Sequence, residues 1–173
     1  MAEQETVTEV GAESVGEAQA MSSLAGKYLT FKLGGEEYGL EILRVTTIIG
    51  LMEITSVPDT PHYVRGVINL RGKVIPVVDM RGKFGLEAVE DTDETCVIVV
   101  EVGHGDSSVP MGILVDSVSE VLDIAGEDIE DTPVFGDGQT REDILGMAKV
   151  NDDVKILLDI DKVLAGEQFA VAA

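Results

Sequence analysis

Gly66-Val67-Ile68-Asn69-Leu70-Arg71-Gly72-Lys73-Val74-Ile75-Pro76-Val77-Val78-Asp79 reads as two β-strands folded back on each other. Both apolar runs, 66–70 and 73–79, are short and rich in Val and Ile, which suits a pleated and packed surface better than a helix. Arg71-Gly72 supplies the tight turn, because Gly72 tolerates a positive φ. Arg71 is thereby left at a hairpin tip between two apolar strands. A guanidinium held there presents a planar fork of donors, suited to a carboxylate or carbonyl across an interface. Pro76 cannot donate to a ladder, so the second strand is expected at a sheet edge or beside a bulge.

The same grammar recurs on both sides. Tyr28–Leu33 alternates with a two-residue period, turns at Gly34-Gly35 and returns through Glu37–Leu40. A short helical or turn segment at Ile42-Leu43 precedes a strand at Val45–Ile49. Pro58 and Pro61 mark 52–62 as loop, with Pro61 placed to open a short helix through Tyr63-Val64. Downstream, 95–102 and 109–122 read as long apolar strands, and 126–143 as a long Asp/Glu/Gly-rich loop. Residues 144–150 and 154–159 pair through Asn151-Asp152-Asp153, and a terminal helix at 160–165 carries Ile160, Val163 and Leu164 on one face. About ten short strands with little helix argue an all-β barrel or sandwich arrangement, and ten suffices for two five-stranded barrels.

Composition sets the limits on function. The 173 residues carry 33 Asp and Glu against 12 Lys and Arg, a formal charge of −21. Such a chain repels phosphate, which argues against nucleic acid and anionic membrane surfaces as partners. Residues 1–24 hold five Glu and no Lys or Arg, too polar to offset the entropy of ordering, so an acidic disordered tail is expected there. Residues 167–173 are expected to be loose. Residues 1–26 lack the basic start and apolar stretch of a signal segment, and no apolar run of about 18 residues occurs. With a lone cysteine, Cys96, inside an apolar run, a cytoplasmic location without disulfides is expected.

Catalytic and metal-binding constellations are missing from the pattern. His62 and His104 are the two histidines, and neither is set beside a nucleophile. The acidic runs do not follow calcium-loop spacing, and the glycine clusters lack the strand–loop–helix setting of a phosphate cradle. No cofactor is called for. What stands out is a basic island. Arg44, Arg65, Arg71, Lys73, Arg81 and Lys83 share the stretch 44–83 with three acidic residues, a local charge of +3 on an acidic chain. It reads either as an oriented protein–protein surface or as a set of cations paired with the abundant carboxylates.

Three blocks resemble the CheW family of bacterial chemotaxis coupling proteins: Phe31–Ile42, Gly66–Arg81 and Gly112–Leu122, in the family's order and spacing. The resemblance covers residues 25–166. It implies two intertwined five-stranded SH3-like β-barrels around a shared core, with no enzymatic activity. It also implies an adaptor joining the cytoplasmic tip of methyl-accepting chemoreceptors to the regulatory domain of the histidine kinase CheA in receptor arrays. The length resembles that of the stand-alone coupler. Carried over residue by residue, the receptor helix would lie in a groove between the barrels at Val45, Thr47, Gly66 and Arg71, with Val97 and Val99 as further lining. The kinase contact would fall at Glu130, Val134 and Phe135. Thr47 stands where the family often has a glutamate able to pair with the turn arginine, and Glu130 and Val134 also depart from the family's charge pattern. A β-barrel module for a small ligand, or a paralogous coupler in another signalling system, is the alternative.

Overall fold

The computed structural model describes residues 24–103, 108–131 and 143–164. The expected N-terminal tail (apart from Leu24) and the C-terminal stretch 167–173 lie outside them, as do His104, Val134 and Phe135. Among the described residues, eleven strands form two sheets: β1 Gly26–Leu33, β2 Glu36–Glu41, β3 Val45–Gly50, β4 Val64–Leu70, β5 Lys73–Asp79, β6 Cys96–Val102, β7 Val109–Val115, β8 Ser117–Ile124, β9 Ile129–Glu130, β10 Ile144–Val150 and β11 Asp153–Leu158. The helices are short: α1 Met80–Lys83, α2 Ile160–Val163, and 3-10 turns at Ile42–Arg44 and Gly126–Asp128. One sheet runs β3-β6-β7-β5-β4 and the other β8-β1-β2-β11-β10-β9.

The two sheets are the same object built twice. In each, the strands pair in the order antiparallel, antiparallel, parallel, antiparallel. Each also ends in a short antiparallel addition, Thr55 on Val67 in one and β9 on β10 in the other. The registers coincide: Gly66 faces Val77 and Val77 faces Gly112, just as Gly146 faces Leu157 and Leu157 faces Gly39. The central barrel is contiguous, β3 to β7. The terminal barrel joins the chain's first two strands to its last four, which is how the two halves intertwine.

Alternating side chains serve three packed clusters, one inside each barrel and one in the seam between them. In β6, Val97 and Val99 fill the central barrel with Ile68, Ile75, Val77 and Leu114. Ile98 and Val100 face the other way, into a seam shared with Leu29, Phe31, Leu33 and Leu40 of the terminal barrel. A strand buried on both faces must be apolar throughout, which explains the unbroken Cys96–Val100 run. Tyr28, Ile124, Ile129, Ala148 and Leu157 fill the terminal barrel.

Several local expectations are corrected. Residues 109–122 are not one strand: Asp116 ends β7, and β8 departs into the other sheet. Pro61 opens only one turn, Val64 N–H to Pro61 C=O at 3.0 Å, before β4 begins. Pro76 lies on an interior strand, and the bulge is on its partner β4. The missing donor is tolerated because the parallel ladder to β7 starts only at Val77. The stretch 126–143, expected as loop, contributes a 3-10 turn and β9. The helix α1 was not expected: Asp79 caps it, its Oδ1 accepting from Arg81 N–H at 3.0 Å.

Candidate interaction surface

The β4–β5 turn is of the primed type, with Arg71 at φ +53° and Gly72 at φ +85°. Such a turn matches the twist of the flanking strands, which is why a non-glycine residue is held in the left-handed region here. Asn69 braces it, its Oδ1 accepting from Gly72 N–H at 3.0 Å. Arg71 therefore projects from a stiff hairpin.

The basic island resolves into two classes. Arg44 pairs with Asp161, Arg65 with Asp91 at 3.1 Å and Arg81 with Asp116 at 2.7 Å. Lys83 lies 4.5 Å above the Tyr63 ring. Arg71 and Lys73 are exposed and make no ion pair among the described residues. Thr47 offers no carboxylate to Arg71. The island is thus mostly internal pairing, with a cationic tip left over.

The remaining expected positions sit in the same barrel at different depths. Val45 and Thr47 are half-buried on β3, the sheet's edge strand, where Thr47 pairs with Val99. Val97 and Val99 are 0% and 1% exposed, so their side chains back the barrel wall from inside instead of lining its surface. Gly66 is buried and reaches positive φ at +140°; a Cβ there would stand 2.0 Å from the Thr55 carbonyl oxygen. Its role is to let the Thr55 strand cross β4. Sequence reasoning missed the apolar residues that β3 and its exit turn outward: Ile48 at 42% exposure, with Leu51 and Met52 also exposed. The signal was present in Ile48-Ile49-Gly50-Leu51-Met52, since strict alternation on an edge strand forces one of two adjacent isoleucines out. Val74, beside Lys73, adds another exposed apolar residue.

On the terminal barrel, Glu130 is exposed on β9 and holds Lys149 at 2.8 Å. A cavity of about 200 Å³ opens between Tyr38, Phe84, Leu86, Ile144, Met147, Ile156 and Leu158. A larger cleft of about 590 Å³ has the charged side chains Lys32, Arg81, Glu90, Asp93, Glu94 and Asp116 among its walls. Among the described residues no group of three His, Cys, Asp or Glu side chains could hold a metal ion. No described helix is long and apolar enough to cross a membrane. The chemistry on offer is that of recognition: a cation on a stiff turn with exposed Val74 next to it, in a barrel whose β3 side separately exposes Ile48, Leu51 and Met52.

Residues 27–168 match the CheW-like domain family. The chemotaxis protein CheW of Klebsiella aerogenes is 36% identical, over 96% of this chain and 92% of its own length. The chemotaxis protein CheW of Helicobacter pylori is 34% identical, over 87% of this chain and 88% of its own. The crystal structure of the scaffolding protein TtCheW from Thermoanaerobacter tengcongensis superposes with a TM-score of 0.73 at 32% identity, covering 82% of this chain and 94% of that one.

Proposed function

Because this chain belongs to the CheW-like family, whose members are chemotaxis scaffolding proteins and not enzymes, we propose that it is the adaptor between a chemoreceptor and a kinase. It binds the cytoplasmic tip of methyl-accepting receptors on one side and the regulatory domain of the histidine kinase CheA on the other, within cytoplasmic receptor arrays. The observation that carries this reading is Arg71 on its braced turn, with no ion pair among the described residues, in the barrel that also exposes Ile48, Leu51 and Met52. An amphipathic receptor helix would place apolar residues on the β3 side and a carboxylate or carbonyl at Arg71. Val45 and Thr47 would border the contact, while Gly66, Val97 and Val99 act through the shape of the wall. The kinase contact is assigned to Glu130 with Val134 and Phe135.

Titration calorimetry of a receptor-tip fragment tests the first half. Arg71→Glu should weaken binding at least about tenfold, as expected of a central arginine, while the circular dichroism spectrum stays unchanged. Equal affinity of the variant would remove Arg71 from the receptor surface. For the second half, Phe135→Ala should loosen the isolated kinase regulatory domain by about 1–2 kcal/mol. Unchanged kinase affinity would reject that assignment.

A further inference from the structure

We propose that the two seams between the barrels are reciprocal interlocks of opposite polarity, Arg81–Asp116 and Arg44–Asp161, each tying a hairpin turn of one barrel to the short helix of the other. The duplication makes the comparison possible, since Gly34 in the β1–β2 turn and Gly103 in the β6–β7 turn occupy equivalent positions, as do Arg81 of α1 and Asp161 of α2.

At the first seam the chain crosses from β7 to β8 through Asp116. Its carboxylate takes both forks of Arg81, Nε to Oδ1 and Nη2 to Oδ2, each at 2.7 Å. The same Oδ2 accepts Gly34 N–H at 3.0 Å, and Asp116 N–H donates to Lys32 C=O at 3.1 Å. Arg81 reaches on to Glu87 C=O at 2.8 Å. At the second seam the chain crosses from β2 to β3 through Arg44. It donates to Glu101 C=O from Nε at 3.1 Å and Nη2 at 2.8 Å, and it pairs with Asp161. Asp161 Oδ1 accepts Gly103 N–H at 2.8 Å.

The two seams share a plan and exchange the parts. In the first, the crossover carries the carboxylate and the helix carries the arginine. In the second, the crossover carries the arginine and the helix carries the carboxylate. In both, a carboxylate oxygen satisfies a turn glycine's N–H, from the crossover in the first seam and from the opposite barrel's helix in the second, and the residue two before that glycine offers its carbonyl to the crossover. Charge-assisted bonds of this kind are short and directional, and they are partly shielded here, with side-chain exposures between 16% and 30%. The apolar seam between the barrels is non-directional and would tolerate sliding; these four residues fix its register.

The test uses the full chain and two readouts. Amide exchange at Gly34 and Gly103 reports each seam separately. Spin labels at Val74→Cys and Val154→Cys, equivalent exposed sites on the two barrels, in a Cys96→Ala background, report the distance between barrels. Asp116→Ala should speed Gly34 exchange about tenfold and leave Gly103 alone; Asp161→Ala should do the reverse. Both should broaden the distance distribution, and Asp116→Val and Asp161→Val, which also remove the acceptor, serve where the alanine variants fail to fold. The swap Arg81→Asp with Asp116→Arg should narrow the distribution again yet leave Gly34 fast, because arginine cannot accept its N–H. Wild-type exchange and wild-type distances in the single variants would overturn the proposal. So would equal acceleration of both glycines by each variant, which would mean one global opening and not two interlocks.

Discussion

Replacing Gly66 by alanine should do far more damage than the same change at its structural twin Gly146. At Gly66 the new Cβ would lie 2.0 Å from Thr55 O and 2.7 Å from Thr55 C, backbone atoms that cannot rotate away. The Thr55 segment would have to leave, breaking its two bonds to Val67, each 2.8 Å long. Their loss costs about 1 kcal/mol apiece. Holding alanine at φ +140° adds about 1–3 kcal/mol, since that region is nearly glycine-only. The sum is about 3–5 kcal/mol, a large share of a typical domain's stability. At Gly146 the φ is ordinary and the nearest atoms, the backbone Glu130 O and Ile129 Cγ2, are 2.9 Å away, so the β9 backbone must give by a few tenths of an ångström, at about 1–2 kcal/mol, without losing its ladder to β10. Urea unfolding reads the difference: with a slope of about 1–3 kcal/mol/M, Gly66→Ala should lose about 2 M in midpoint and Gly146→Ala under 1 M. Equal midpoints would refute the crossing-strand argument. The result also bears on function. Any loss of receptor binding in Gly66 variants should be accompanied by faster exchange of the Val67 amide, because the 51–57 segment moves with Thr55; lost binding with a protected Val67 would instead make Gly66 a direct contact.

Arg71→Asn should stabilise the fold by about 0.5–1 kcal/mol, because Asn-Gly is the preferred pair for this turn and Asn151 already holds the equivalent place at φ +50°; the same variant should lose receptor affinity, and a melting point at or below wild type would contradict the turn reading. Lys155 is 6% exposed and pairs with Glu37 at the position where the central barrel has Ile75. Lys155→Ala alone should destabilise by about 1–3 kcal/mol, whereas Lys155→Ile with Glu37→Gln should be close to neutral, as expected when a shielded ion pair is replaced whole; a double variant worse than the single one would reverse this. Acid unfolding should report Asp116 and Glu37. The hydrogen bond from Arg81 holds the Asp116 carboxyl below the usual carboxylate range, and that from Lys155 does the same for Glu37. Depressed carboxyls contribute stability in full above their unfolded values of about 3.9 and 4.3, and lose it as pH falls through the folded ones. Arg81→Ala should flatten the stability profile below about pH 4, and an unchanged acid limb would rule Asp116 out as a contributor.

What the sequence disclosed and what it concealed divide along physical lines. The hairpins were legible because turn chemistry is local: Gly34-Gly35, Arg71-Gly72 and Asn151-Asp152 each announce a reversal within a few residues. The break at Asp116 was hidden because strand formers flank it on both sides, and the decision to leave one sheet for the other is made by Arg81 and Gly34, distant in sequence. The outward-facing Ile48 was hidden because which of two neighbouring isoleucines faces solvent depends on β3 being an edge. The duplication was hidden for a more instructive reason. Equivalent positions agree where backbone geometry forces them to, as in Gly66 with Gly146, Gly39 with Gly112, Gly34 with Gly103 and Asp79 with Asp159. Elsewhere they have drifted in chemistry, as with Ile75 and Lys155 or Arg81 and Asp161.

That drift has a direction at the surface. The central barrel shows Arg71-Gly72-Lys73 at its hairpin tip, with Val74 exposed beside it. The terminal barrel shows Asn151-Asp152-Asp153 at the same tip, with Val154 exposed in the same place. Two barrels of one shape would otherwise offer any partner two equivalent sites. Opposite charge on matching apolar knobs removes that degeneracy, because a partner whose carboxylates meet Arg71 and Lys73 is repelled by Asp152 and Asp153. If the chain joins two partners as proposed, it must keep them apart, and in a duplicated fold charge divergence at one turn is one change that does so. The consequence can be measured. Giving the terminal tip the central tip's sequence, Asn151→Arg, Asp152→Gly and Asp153→Lys, should let a receptor-tip fragment bind at two sites in a titration. A stoichiometry that stays at one would show that the barrels are told apart by contacts deeper than the turns.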